Sequence, residues 1–218
     1  YIILDAGDGL YKIDEYINCD KPIYLFLSHL HIDHISGLHI LNKFSFSQGI
    51  SILSCSGYKE KLSLIIDEPF TKPVHELPYN VQLYELPEGE HNRPVKVKCR
   101  LLNHSSKCFG YRFDIENKII TYCTDTGHCD AVIELAEDAD ILITESSIKT
   151  NQSEYASFHL NPVDAAVIAS KAKAKKLILT HFEARCVSSL EERRELGEEA
   201  RKVFPETVIA EDGLEIVL

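Results

Sequence analysis

The apolar run at residues 23–27 (Ile-Tyr-Leu-Phe-Leu) breaks off one residue before the string His29-Leu30-His31-Ile32-Asp33-His34. A short apolar run of this kind reads as a buried strand. Three imidazoles and a carboxylate are therefore set where a rigid strand opens into a loop, a position at which proteins carry chemistry. Imidazole nitrogen and carboxylate oxygen are the donors that divalent cations of the zinc type accept. Any fold for this chain must expose the end of that strand and bring further donors to it, unless the string is only a histidine-rich polar loop. The rest of the sequence decides between these readings.

Three more strand ends carry candidate donors. Asn103-His104-Ser105 follows the β-rich residues 95–102, Thr124-Asp125-Thr126 follows 118–123, and Thr180-His181-Phe182 follows 176–179. A single histidine at a strand end is more often structural, whereas donors converging from separate strand ends build a site on rigid elements. Hydrophobic patterning predicts strands at residues 1–5, 23–28, 50–54, 82–86, 95–102, 109–115, 118–124, 140–144 and 176–180. Helices are expected at 37–44, 58–66, 131–137, 162–173 and 189–203. Asn161 as N-cap with Pro162 behind it opens the fourth of these. Asn117-Lys118 suggests a tight turn, and residues 207–217 a closing hairpin around Asp212-Gly213.

Antiparallel neighbours joined by short turns, with no linker-like stretch, suit two sheets packed face to face with helices outside. That is one α/β domain of four layers over residues 1–218. The chain has no Met and opens on Tyr1 inside its first apolar run, so an N-terminal piece ahead of that strand is expected. A formal charge of -11, from 23 Lys+Arg against 34 Asp+Glu, argues against a generally basic nucleic-acid-binding surface. No apolar run approaches the ~20 residues of a membrane helix, and no signal pattern opens the sequence. The expectation is a cytoplasmic chain with no membrane partner. Seven cysteines without a CxxC pair point to reduced thiols.

His29-x-His31-x-Asp33-His34, followed in order by His104, Asp125 and His181, resembles the metallo-β-lactamase superfamily of dinuclear hydrolases. Asp5-Ala6-Gly7 resembles its early structural aspartate. The resemblance implies an αββα sandwich with two divalent metal ions, zinc before Mn2+ or Fe2+, in a shallow groove at one edge. It assigns His29, His31 and His104 to one metal, Asp33, His34 and His181 to the other, and Asp125 to a bridge between them. Two cations ~3.5–4 Å apart acidify a bridging water to hydroxide and clamp the oxygens of an in-line displacement. Asp33 would also orient that nucleophile. The metals are the local positive charge that an anionic substrate meets, so the acidic excess does not oppose binding.

Residue identities then narrow the branch. His31 stands where oxygen-reducing di-iron members carry an acidic residue. Asp125 matches the bridging carboxylate of the phosphodiesterase, glyoxalase and lactonase branches, which true β-lactamases lack. Phe158-His159-Leu160-Asn161-Pro162 resembles the histidine that tRNase Z and related small phosphodiesterases use to protonate the leaving oxygen. Packing or capping at the helix entry is the alternative for His159. Residues 103–111 resemble the same segment of tRNase Z and the phosphonate-pathway cyclic phosphodiesterase. Glu145 matches an acidic residue behind the metals, with a solvated strand-end carboxylate as its alternative.

The arm with which long tRNase Z enzymes grip tRNA has no counterpart between His104 and Asp125, and residues 67–94 are acidic and Pro-rich. The expected function is therefore a zinc phosphodiesterase acting on a small cyclic or nucleotide phosphodiester, with RNA left open. Two alternatives stand beside it: a thioesterase or lactonase of the glyoxalase type, and a metal-holding protein that binds a partner without catalysis. Homodimers are common in the superfamily. His128 and Cys129 are read as surface residues, and the lysines of 171–176 as neutralising a helix C-terminus.

Overall fold

Every strand of the N-terminal unit, Tyr1–Pro87, runs parallel to its neighbours in the computed structural model, which describes residues 1–152 and 157–218. β1 (Ile2–Leu4), β2 (Tyr24–Phe26), β3 (Ile50–Cys55) and β4 (Val81–Leu86) lie in chain order. The expectation of antiparallel neighbours joined by short turns fails here, because parallel neighbours need crossovers of a dozen residues or more. The connections supply that length. The first holds a 3-10 turn (Asp8–Lys12) and α1 (Ile13–Tyr16), neither predicted. The second holds the histidine string, α2 (Ile32–Ile35) and a 3-10 helix (Ser36–Lys43) in place of the expected α-helix. The third holds α3 (Lys59–Ile65). Leu25, Phe26 and Leu27 are fully buried, so the apolar run ahead of the histidines is a core strand.

Backbone hydrogen bonds lace the segment after β1 to the end of the histidine string. Ala6 N donates to His34 O (2.8 Å) and Gly37 N to Ala6 O (2.8 Å). A Cβ on Gly37 would lie 2.3 Å from Gly7 O and 2.6 Å from Leu10 Cβ. The obstacle is mostly backbone, which cannot rotate away. Gly37→Ala is accordingly expected to destabilise the fold by about 3 kcal/mol. Thermal unfolding followed by circular dichroism tests this; an unchanged midpoint would show that the two segments separate without penalty.

The C-terminal unit, Glu88–Leu218, carries a seven-stranded sheet ordered β11-β10-β9-β8-β7-β6-β5. β5 (Gly89–His91), β6 (Val97–Leu101), β7 (Phe109–Ile115) and β8 (Lys118–Cys123) form an antiparallel meander. β9 (Ile141–Glu145), β10 (Leu177–Thr180) and β11 (Thr207–Ile209) add to it in parallel. The β7–β8 turn sits on Glu116 and Asn117, with φ of 51° and 62°, one residue earlier than predicted. Lys118 is already paired with Ile115 there.

The predicted closing hairpin is not formed. Residues 207–209 instead join the open edge of β10, with Leu177 opposite Thr207, and no strand follows among the described residues. α4 (Asp130–Ala136) and α5 (Pro162–Lys171) contribute Val132, Leu135, Ala165, Ala166 and Ala169 to a core shared with Leu142, Leu177 and Leu179. Asn161 caps α5 by accepting from Asp164 N (2.9 Å), and Ser189 caps α6 (Leu190–Arg201) by accepting from Glu192 N (3.1 Å). No helix among the described residues is long and apolar enough to cross a membrane.

Strand direction positions the chemistry. β6 and β8 are both antiparallel to β7, and β9 and β10 are parallel to β8, so all four end at one edge of the sheet. His104, Asp125, Glu145 and His181 lie at or just past those four ends. In the N-terminal unit, Asp5 and His29 follow the adjacent parallel strands β1 and β2 at one edge of that unit's own sheet. The carboxyl edge of parallel strands is where α/β sheets bind ligands.

Candidate metal centre

In the N-terminal unit one buried carboxylate orients two of the histidines. Asp5, 9% exposed and at φ 58°, accepts from Ser28 N through Oδ1 (2.6 Å) and from Ser28 Oγ through Oδ2 (2.8 Å). Its Oδ2 also lies 2.8 Å from His34 Nδ1. A carboxylate can only accept, so His34 carries its proton on Nδ1 and turns the lone pair of Nε2 outward. The Ser28 hydroxyl, having donated to Asp5, accepts from His29 Nδ1 at 3.0 Å. His29 is thereby fixed in the same tautomer. The rings of His31 and His34 lie 4.4 and 4.2 Å from that of His29. Asp33 is exposed, with Oδ2 3.2 Å from His34 Nε2.

In the C-terminal unit Asp125, 2% exposed and at φ 45°, directs one oxygen to each of two histidines. Its Oδ2 lies 3.6 Å from His104 Nε2 and its Oδ1 3.1 Å from His181 Nε2. Thr124 Oγ1 donates to Oδ1 (2.9 Å). The Ser147 hydroxyl donates to His181 O (2.8 Å) and so accepts from His181 Nδ1 (3.0 Å). Left-handed backbone at Asp5, Asp125 and His181 (φ 50°) costs about 1–2 kcal/mol per residue, strain of a kind that clusters at functional sites.

Behind these donors, His159 Nδ1 lies 3.1 Å from each oxygen of the fully buried Glu145. Thr126 N donates to Glu145 Oε1 (2.5 Å), which holds the carboxylate in place. The solvated alternative for Glu145 is thereby excluded. The hydrogen bond to Glu145 raises the His159 pKa above its ordinary value against the opposing effect of burial, with further support from the charges of Glu145 and Asp125. The His159 ring stands 5.4 Å from that of His104 and stacks parallel to that of His181 at 6.5 Å. His128 is exposed, as read from the sequence, whereas Cys129, read with it as a surface residue, is half-buried against the C-terminal core.

The donor set fits divalent cations. Within one unit His29 and His31 offer ligand atoms within 4.8 Å of each other, as do Asp33 and His34; within the other His104 and Asp125 do so. The tautomers sharpen the test. With Nδ1 of His34 and His181 committed as donors, both Nε2 lone pairs face carboxylate oxygens, at 3.2 and 3.1 Å. Two acceptors at that distance repel unless a proton or a cation stands between them. Ser28, Ser147 and Thr126, which set these orientations, were not singled out in the sequence. Each serine stands beside a strand end that leads to a donor, and that adjacency is the one available signal.

Donors of this chemistry, presented at the carboxyl edge of parallel strands, define a metal-dependent hydrolase. The chain belongs to the β-lactamase superfamily, whose domain matches residues 2–182. Ribonuclease Z of Bacillus thuringiensis (strain Al Hakam) is 29% identical, over 86% of this chain and 78% of its own. Among solved structures, the metallo-β-lactamase fold protein YhfI from Bacillus subtilis is 25% identical with a TM-score of 0.76, covering 98% of this chain and 85% of that one. A diphosphatase of the PhnP family is 20% identical with a TM-score of 0.75, covering 100% and 79%. The fold is thus the metallo-β-lactamase fold expected from the sequence, and the similarity runs to the branch that holds ribonuclease Z.

Proposed function

We propose that the two units act as one domain, that their donors together hold two divalent cations, and that the chain hydrolyses a phosphodiester. The observation that carries this reading is the His159–Glu145 pair beside His104 and His181. An imidazole whose hold on its proton is strengthened by a buried carboxylate suits an alkoxide leaving group, which needs a proton as it departs. In this reading His29, His31 and His104 would hold one ion, Asp33, His34 and His181 the other, and Asp125 would serve both. Bound zinc would supply Lewis acidity and an acidified water for attack at phosphorus.

The chain's own side chains do the rest. Asp5 fixes His34 directly and His29 through Ser28, while Ser147 fixes His181. Glu145 holds Nδ1 of His159, so Nε2 presents the proton to the leaving oxygen. The similarity to ribonuclease Z supports phosphodiester chemistry. The charge of -11 favours a small nucleotide or cyclic phosphodiester over a long RNA.

The test loads the protein with zinc or manganese and offers bis-p-nitrophenyl phosphate, cyclic nucleotides and short RNA beside thioesters and lactones. Phosphodiester turnover is expected, abolished by a chelator and restored by metal. Turnover of thioesters or lactones alone would overturn the reading.

A further inference from the structure

One residue beyond His181, the half-buried ring of Phe182 packs against the core of the C-terminal unit. Arg193, in the first turns of α6, places its guanidinium carbon 5.4 Å from the centroid of that ring. Stacking on an aromatic face holds a guanidinium in a fixed plane and strips part of its hydration. Its Nε is buried with no hydrogen-bond partner among the described residues.

The contrast with the other arginines is one of chemistry. Arg100, Arg185, Arg194 and Arg201 each hold a carboxylate, Arg112 holds two backbone carbonyls, and Arg93, with no carboxylate among the described residues, is exposed. Most carboxylates near Arg193 in sequence are committed elsewhere, and Glu195 is exposed with no ion pair to Arg193 among the described residues. Glu192 takes Lys149 and the backbone and hydroxyl of Ser188, Glu191 takes Arg194, and Glu183 takes Arg185. Among the described residues this stacked cation holds no carboxylate, and the ring beneath it adjoins His181 in the chain. A planar guanidinium matches the paired oxygens of a phosphate group.

We infer that Arg193, stacked on Phe182, binds a second phosphate of the substrate, next to the linkage being cleaved. The inference rests on the phosphodiesterase reading for the first phosphate. It assigns Arg193 to binding, since the side chain lies outside the donor set.

Calorimetric titration of the zinc-loaded protein with thymidine 3′,5′-bisphosphate, thymidine 3′-phosphate and inorganic phosphate tests this. The protein is expected to bind the bisphosphate about tenfold more tightly than the monophosphate. Arg193→Met keeps an aliphatic stem over the ring and removes the charge, and should erase that preference with zinc content unchanged. Arg193→Lys keeps the charge without the planar fork and should retain about threefold. The proposal is overturned by an undiminished preference in Arg193→Met, by no preference in the unaltered protein, or by inorganic phosphate binding as tightly as the bisphosphate. Turnover does not enter these titrations, so a protein that cleaves no phosphodiester sinks the activity reading and leaves Arg193 to be judged on binding alone.

Discussion

Asp125→Ala is expected to lower phosphodiester turnover by about 10^4-fold, the largest loss at any single position, while leaving the metal-free fold in place. The carboxylate is 2% exposed and offers a separate oxygen to His104 and to His181, so its removal takes a donor from both proposed ions at once. Losing several kcal/mol of transition-state stabilisation corresponds to a rate effect of that order. Without metal, Asp125 Oδ1 faces the Nε2 acceptor of His181 at 3.1 Å, and relief of that repulsion offsets the cost of alanine at φ 45°. Folding stability measured in chelator should therefore change little. Added zinc should raise the melting temperature of the unaltered protein, because a ligand that binds only the native state stabilises it. The zinc-dependent rise should shrink in Asp125→Ala. Full turnover in the variant, or an equal zinc-dependent rise, would remove Asp125 from the centre.

The legibility of this site in the sequence follows from how each part is encoded. His29, His104, Asp125 and His181 are visible because apolar strands end beside them, and the strand at Phe109–Ile115 falls where the patterning predicts. Side-chain donors at strand ends need no knowledge of strand order. Strand direction is another matter. An apolar run reads alike in a parallel or an antiparallel sheet, so the parallel N-terminal sheet was expected to be antiparallel. The 207–217 hairpin failed for the same reason: Asp212-Gly213 does turn, with Gly213 at φ 81°, but the preceding residues had β10 as a partner. The orienting hydroxyls of Ser28 and Ser147 and the stack of Arg193 on Phe182 depend on tertiary placement, which local pattern does not carry.

His159→Ala is expected to lower kcat by about 10^3-fold on substrates with an alkoxide leaving group, and far less on p-nitrophenyl esters. The difference arises because p-nitrophenolate departs without a proton, so the general acid is needed only when the leaving oxygen is strongly basic. A residue that merely packs at the entry of α5 would affect both substrates alike. The pH profile supplies a second measure. The acceptor bond from Glu145 raises the His159 pKa, so the imidazolium persists to higher pH than an ordinary histidine's. Turnover limited by that acid should hold through the ordinary histidine range and fall only as pH passes the raised value. The same shift contributes folding stability that is fully present below the ordinary value and lost as pH rises through the raised one. Glu145→Gln removes the charge behind Nδ1 and lowers the His159 pKa, so the alkaline fall should move to lower pH in the variant. Zinc content should stay unchanged, since neither residue belongs to the proposed donor set. An alkaline limb that stays in place in Glu145→Gln, together with equal losses on both leaving groups in His159→Ala, would make the pair structural and return the carbonyl-ester hydrolases to contention.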